Sequence, residues 1–412
     1  MSVDAKMAWR NIWRNPRRTL LTISAIAFAS LLLVFMLSFQ FGSYEAMINA
    51  SVKIHAGHLQ IQAQGYQEKN SMRLVVPNPA SIGSILENIQ AVEAYTYRAN
   101  AFSLVSSEKR TYGVMVTGID PVKEATVSTL KKLIREGAYL AKNDDHQAMV
   151  GHLLAQNLRI GPGDELTLLG QGRDGSVAAS VVTVKGIYQS GLDDFDRSSV
   201  HIPLKIFQDV YAMGDAVHQV VVVGKSLSSI SSIRTSLTSS LPSGNLKNPL
   251  IILDWEQLMP GLRQAIEIDL VSGLIFYVLL IIVVAFSILN TFLMAIFERT
   301  KEFGILKAIG TTPLRLTKLL LIESVTITLV GIVGGVILGI GITYYFQIHG
   351  IDFSGSSDLL SQFGISGRMY PKISLLSILI GPSLVLVITF LAALYPALKV
   401  RGLKPVEALA YI

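Results

Sequence analysis

Cysteine is missing from all 412 residues, so any domain this chain builds outside a membrane must hold together without disulfides, and no lipid-modified cysteine anchors it. Charge is scarce too: only 16% of the residues are Asp, Glu, Lys or Arg, while 50% are hydrophobic. That balance points to a membrane protein. Four windows contain no Asp, Glu, Lys or Arg at all: Thr19 to Tyr44, Leu270 to Phe297, Ser324 to Gly350 and Ile373 to Leu398. Each exceeds the roughly 20 residues that a helix rising about 1.5 Å per residue needs to cross about 30 Å of hydrocarbon, which predicts four transmembrane helices. A cleaved signal peptide is the rival reading of the first window, because basic residues precede it and Ala25, Ala27 and Ala29 offer a cleavage-like site. The apolar run continues from Leu31 to Leu37, too long for such a segment, so an uncleaved anchor is expected.

Complete catalytic motifs are lacking as well. Gly224-Lys225-Ser226 resembles the end of a phosphate-binding loop, but Gln219 stands where its first glycine belongs. Asp193, Asp194 and Asp196 share the charge of a calcium loop without its alternating ligands, central glycine or terminal glutamate, and read as a polar surface loop. On a strand, His55 and His58 would point to opposite faces, which defeats a two-ligand metal site and leaves them as solvated histidines. The sequence therefore predicts no catalytic residue, no metal site and no cofactor bound by this chain.

Positive charge, by contrast, gathers at the helix ends. Lys6, Arg10, Arg14, Arg17 and Arg18 precede the first window, Arg299, Lys301, Lys307, Arg315 and Lys318 separate the second from the third, and Lys399, Arg401 and Lys404 follow the fourth. Between the third and fourth stand only Arg368 and Lys372. Lys and Arg resist translocation, so both termini and the 298–318 loop are expected in the cytoplasm and the large 46–268 segment outside. Anionic inner-leaflet lipid then accounts for the formal charge of +6 without nucleic acid. The predicted order is a cytoplasmic segment 1–18, span 19–45, outer domain 46–268, span 269–297, loop 298–318, span 319–348, outer loop 349–372, span 373–398 and tail 399–412.

The outer segment alternates strand-like and helix-like patterns and reads as α+β. Strands are expected at Val52 to Ala63, Thr111 to Gly118 and Ala148 to Gly151, with helices at Ala80 to Val92 after an Asn78-Pro79 start signal, at Pro121 to Arg135 and at Leu153 to Leu158. Gly161 to Asp164 is a turn, followed by a hairpin of Glu165 to Leu169 and Ser180 to Ile187. A second subdomain is expected over 140–223.

Four features of the spans and their loop carry functional weight. In the third span Gly331, Gly335 and Gly339 form a ridge, widened by Gly334 and Gly341, that suits close helix packing within one subunit or, alternatively, between subunits. Glu323, a turn or so inside the membrane edge, should face the bundle interior or reach back to the surface. In the first span Phe28, Leu32, Phe35 and Phe39 align in one stripe, a candidate lining for an acyl-chain cavity if it is not ordinary packing. The loop Glu298 to Lys318, ERTKEFGILKAIGTTPLRLTK, is the strongest signal. Phe303, Leu306 and Ile309 are read on one helical face with Lys307 and Arg315 toward water, and Gly310-Thr311-Thr312-Pro313 supplies a glycine stop, a new N-cap and a proline start. A hairpin with this much structure is suited to being read by a soluble partner, the alternative being a helix lying on lipid head groups.

At this point the chain resembles the permease subunits of FtsX- and MacB-type ABC transporters, with particular likeness to the lipoprotein-releasing LolC and LolE permeases. Residues 8–19, AWRNIWRNPRRT, resemble that family's amphipathic helix before the first span. Residues 298–310, ERTKEFGILKAIG, resemble its coupling helix, and Tyr395-Pro396-Ala397 through Pro405-Val406-Glu407-Ala408-Leu409 resembles its C-terminal ending. The resemblance implies four transmembrane helices, one plus three, around a porter-like α+β periplasmic domain with an inserted subdomain, in a bacterial inner membrane. It implies partners: two copies of a cytoplasmic ABC ATPase that bind ATP and Mg, a second permease (identical or homologous), membrane lipid, and a lipoprotein substrate with a periplasmic chaperone or adaptor. Coupling to the ATPase would fall to Glu298, Arg299, Lys301, Glu302, Phe303, Gly304, Leu306, Lys307, Ala308 and Gly310, with Phe303 and Leu306 in an apolar groove of the ATPase, the charged residues fixing orientation, and unbroken helix into the second span transmitting the stroke. MacB-like export of peptides or small molecules with an adaptor, control of cell-wall hydrolases, and a membrane-anchored sensor or scaffold are the alternatives.

Overall fold

The computed structural model describes residues 3–241, 248–353 and 368–402, and the chain divides into a helical unit and a mixed unit built on Glu45–Ala265. The C-terminal Pro405 to Leu409 motif and the His55 side chain lie outside what is described. Among the described residues four helices are long and apolar enough to cross a membrane: Pro16–Ile54, Pro260–Glu298, Pro313–His349 and Leu375–Lys399. These helices outrun the charge-free windows. The second begins at Pro260, well before Leu270, because Arg263, Glu267 and Asp269 are excluded from hydrocarbon but not from helix. Charge marks where the hydrocarbon ends; hydrogen bonding carries the helix on.

Within the helical unit the third span lies against the first along the glycine ridge. A Cβ on Gly331 would stand 2.8 Å from the Ile26 Cβ, one on Gly335 2.3 Å from the Ala27 carbonyl oxygen, and one on Gly339 3.1 Å from the Val34 Cβ. Missing side chains let the two backbones approach, and in lipid that packing is a main source of helix association. Gly334 and Gly341 face open space. The bundle core gathers Ile26, Leu33, Ile288, Phe292, Val385 and Ala393. The aromatic stripe of the first span does not stay together as a cavity lining. Phe28 is exposed, whereas Phe35 stacks on Phe39 at 6.4 Å and meets Phe346 edge-on at 5.9 Å, so a ring of the third span occupies the space that end of the stripe would have lined. Leu32 is half-buried.

Among the described residues of the mixed unit ten strands form one sheet: β1 (Leu59–Ala63), β2 (Val92–Ser106), β3 (Thr111–Ile119), β4 (Ile134–Gly137), β5 (Gln147–Gly151), β6 (Glu165–Gln171), β7 (Val177–Tyr188), β8 (Ser199–Pro203), β9 (Gln219–Gly224) and β10 (Leu250–Asp254). Their order is β10-β1-β9-β2-β3-β8-β5-β7-β4, with β6 beside β2 and β7. Val52–Ala56 is a π-helical turn, not strand; Gly57, at φ +70°, turns the chain and only Leu59 onward pairs. The helix expected over 121–135 stops at Val127, because Ser128 (φ −112°, ψ 160°) is already extended, and β4 takes up the rest after a short turn. The helix Pro79–Glu87 likewise ends early, since Val92 already pairs with β9.

The two largest apolar clusters described on the sheet lie side by side along one face of β2. One holds Leu59, Ile61, Val220, Val222 and Ile233; the other holds Ala99, Val114, Val150, Leu166, Val200 and Phe207. The 15-residue β2 feeds both, and β9 pairs with β1 and β2. The inserted half therefore draws on β2 and β3 and excludes β9, so it does not coincide with 140–223. A buried ion pair sits among the described residues of this unit: Arg98 grips Glu124 through hydrogen bonds of 2.6 and 3.1 Å. Burial opposes ionisation of Glu124, but Arg98 outweighs it and holds the carboxyl below the usual range.

Candidate functional site

The segment between the second and third spans folds as a helix, Thr300–Ala308, followed by a tight stop. Gly310 (φ +98°) adopts the left-handed conformation open to glycine, the Thr311 N–H donates to the Leu306 carbonyl at 2.9 Å and the Gly310 N–H to Lys307 at 3.1 Å. That double bond pattern closes the helix end. Pro313 then opens the third span, with Thr312 in the cap position but making no side-chain cap.

Phe303 does not face outward. It is fully buried among Ile296, Leu316, Leu320, Ala397 and Val400, with Leu306 packed beside it, so both belong to the chain's own core and not to a partner's groove. Gly304 is buried too. The exposed apolar side chains are Ile305, Ile309 and Leu314, at 48%, 79% and 66%. The reason is helical drift: steps of three residues fall about 60° short of a turn each, so Ile309 lies about 120° round from Phe303 and close to Ile305. Lys301 and Ala308 are exposed, whereas the half-buried Lys307 donates to the Arg401 carbonyl at 3.1 Å. Arg315 is exposed.

Helix does not run unbroken into the second span. Arg299 leaves the helical conformation (φ −102°, ψ 8°), and its guanidinium reaches Glu302 at 3.3 Å and Glu323 at 3.1 Å and lies 5.1 Å from the Phe303 ring. Glu323, buried, also accepts from Asn11 at 2.6 Å.

Asn11 belongs to an N-terminal helix, Val3–Ile12, that sequence reasoning did not join to this loop. Arg14 binds both oxygens of Glu302 at 2.6 and 3.0 Å, and Arg18 bonds Glu298. The Arg14 hydrogen bond holds Glu302 below the usual carboxylate range. A signal for this was present: Arg14 and Arg18 are four apart, as are Glu298 and Glu302, so two antiparallel segments offer matched charges one turn apart. Ala8 and Ile12 are buried, while Trp9 and Trp13 are exposed and meet edge-on at 6.0 Å, suited to the membrane interface.

The rejected motifs resolve into structure. The Gly224 N–H, where a phosphate-binding loop would need a free donor, donates to His58 Nδ1 at 3.0 Å. His58 is buried, not solvated, and its Nε2 pairs with Asn49 Oδ1 at 3.2 Å. Asp193–Ser198 is a short helix, not a loop, and Asp196 is buried on the Ser190 N–H and hydroxyl. Among the described residues no group of three or more His, Cys, Asp and Glu is arranged to hold a metal.

Residues 19–240 match the MacB-like periplasmic core domain, and residues 274–405 match the FtsX-like permease C-terminal domain. The lipoprotein-releasing system transmembrane protein LolC of Xylella fastidiosa is 22% identical over 86% of this chain and 85% of its own. The macrolide export ATP-binding/permease protein MacB of Chlorobaculum tepidum is 34% identical over 30% of this chain and 17% of its own. The solved extracellular domain of the noncanonic ABC-type transporter YknZ from Gram-positive bacteria aligns at 14% identity and a TM-score of 0.36, covering 48% of this chain and 100% of that one.

Proposed function

From the premise that the chain belongs to the FtsX- and MacB-type family of ABC transporter permeases, resident in a bacterial inner membrane, we infer that it passes the stroke of a separate ATPase to its periplasmic domain. The observation that carries this is the two-sided hairpin: Phe303 and Leu306 fix one face to the bundle, and Ile305, Ile309 and Leu314 leave the other face apolar and open. A soluble ATPase needs such a face, since exposed apolar side chains at an anchored helix give it area to bury and a firm element to push. The basic helix ends orient that hairpin and both termini toward the cytoplasm, where ATP and Mg are bound by the partner. Two ATPase copies and a second permease complete the assembly.

Lipoprotein release is the cargo step this reading favours, supported by LolC relatives that align over most of the chain. Reconstituting the chain with its partner permease and ATPase, a radiolabelled lipoprotein and a periplasmic chaperone tests it. ATP-dependent transfer to the chaperone is expected, lost with Ile309→Asp; ATP-dependent loss of a small amphiphile with the lipoprotein retained would move the reading to MacB-like export.

A further inference from the structure

The helical unit breaks off at Tyr44 and resumes at Ile266, yet helix runs through both junctions, from Pro16 to Ser51 and from Pro260 to Glu298. Four polar side chains meet across these two helices beside the junctions. The Tyr277 hydroxyl donates to Gln40 Oε1 at 2.8 Å, Gln40 Nε2 donates to the Tyr44 hydroxyl at 2.7 Å, and that hydroxyl donates to Asp269 Oδ2 at 2.6 Å. Gln40 Nε2 also donates to the same carboxylate oxygen at 3.3 Å. The bonds run donor to acceptor in one direction and end on a charge, an arrangement in which each polarises the next. Spacing sets the groups in facing stripes: Gln40 and Tyr44 are four apart on the first span, and Asp269, Gly273 and Tyr277 are four apart on the second. Gly273 makes the room, since a Cβ there would stand 2.6 Å from Gln40 Nε2. Apolar packing is thin on the second span at this end. From Glu267 to Leu280 every residue is exposed except the half-buried Gly273, Tyr277 and Leu280, of which Tyr277 and Leu280 pack on the bundle core. Lipid tails leave apolar side chains no drive to prefer one another, so close packing and interhelical hydrogen bonds decide the contact.

We propose that Gln40, Tyr44, Asp269 and Tyr277 are positioning residues for the transport stroke: they form a standing clamp that fixes the first and second spans to each other where the chain enters and leaves the periplasmic domain. At their opposite ends the same two spans are joined by Arg18 and Glu298. With both ends tied, a displacement of either span reaches both connections of the domain. That mechanical consequence rests on the coupling reading; the clamp itself does not.

The chain has no cysteine, so introduced thiols are its only ones. Spin labels at Ala46→Cys and Gln264→Cys, in the full chain in nanodiscs without an ATPase, report the spacing of the two helices beyond the clamp. A narrow distance distribution is expected, and Gln40→Leu with Tyr277→Phe should broaden it about twofold or more. Should that pair fail to fold, Tyr277→Phe alone, which removes one hydroxyl, decides by the same readout. With the partner permease and ATPase added, Gln40→Leu with Tyr277→Phe should bind the ATPase as the wild type does and lower transport per ATP several-fold. Gln40→Cys with Gly273→Cys, placed across the same contact, should be equally poor unbridged and recover when a short bifunctional thiol reagent joins the pair. A distance distribution unmoved by the clamp variants overturns the clamp. A broadened distribution with transport per ATP unchanged, or a bridged chain that hydrolyses ATP without transport, overturns its role as a standing link in the stroke. If the wild-type chain recruits no ATPase, the coupling reading falls and the distance readout still decides the clamp.

Discussion

Arg299→Met should damage the helical unit more than any other single charge removal in it. Arg299 holds Glu323 at 3.1 Å, with side chains only 17% and 9% exposed, and once it is gone the Glu323 carboxylate keeps Asn11 as its remaining hydrogen-bond donor. Removing one partner of a buried pair costs about 3–5 kcal/mol, because the other charge stays desolvated. Arg299 lies at the bundle end, so the lower figure, about 3 kcal/mol, applies. Glu323→Met should cost less, about 1–2 kcal/mol, since Arg299 retains Glu302 at 3.3 Å. Removing both charges should recover most of the loss, as apolar replacements of buried pairs often do. Arg14→Met breaks a pair whose side chains are 58% and 38% exposed and should cost less than about 1 kcal/mol. The assay is unfolding of the purified full-length chain in one fixed detergent and lipid mixture, read as a double-mutant cycle. Arg299→Met within about 0.5 kcal/mol of wild type, or a double variant equal to the sum of the singles, would refute the reasoning.

Phe303→Ala and Ile309→Asp should separate anchoring from docking: the first empties a fully buried site and should cost about 3–5 kcal/mol, whereas the second, 79% exposed, should leave unfolding unchanged and abolish co-purification of the ATPase. Gly335→Ala puts a methyl 2.3 Å from the Ala27 carbonyl and should lower stability by about 1–3 kcal/mol, while Gly334→Ala, which faces open space, should be neutral or stabilising, as thermal unfolding will report. Burial pushes His58 and His218 down to about 4, so both stay neutral in the folded chain while the unfolded chain takes up protons at about 6.5. Their contribution is intact above about pH 6.5, falls as pH drops, and is fully lost below about pH 4, about 3 kcal/mol for each histidine. Urea midpoints of the full chain at pH 7.5 and 4.5 should show the loss, and His58→Gln should flatten it.

The spans were legible because hydrocarbon excludes charge absolutely enough to leave windows in the sequence, and the stop at Gly310 because its left-handed conformation is open to few other residues. Span ends were not legible from charge, as Pro260 shows, because a helix needs only its own backbone to continue into water. Periodicity misled at Phe303 and Ile309: a three-residue repeat looks like a stripe over one turn and drifts off it over two. The turn at Val52–Ala56 takes a tertiary partner that no local pattern encodes, the Thr129 N–H on the Lys53 carbonyl, whereas Asp196 is held by Ser190 only six residues away, a contact that charge counting passes over.

The N-terminal pairings changed most in meaning. Arg14 with Glu302 and Arg18 with Glu298 join segments more than 250 residues apart, beyond any local rule, yet the four-residue spacing on both sides makes the match a register and not a coincidence of single charges. Under the proposed function this register has a mechanical consequence. Arg299 breaks the helix between Thr300–Ala308 and the second span, so a push on Ile309 is not delivered along one continuous rod. It is delivered to a hairpin that is held on one side through Phe303 and on the other through Arg14 and Arg18 at the start of the first span. The first and second spans are the two that bracket the periplasmic domain in the chain, so both of its connections would receive the motion. Arg14→Glu with Arg18→Glu should therefore leave ATPase binding in place while lowering the transport obtained per ATP hydrolysed, and restoring charge order with Glu298→Arg and Glu302→Arg should raise that ratio again; a ratio unchanged by the first pair of substitutions would assign the whole stroke to the second span.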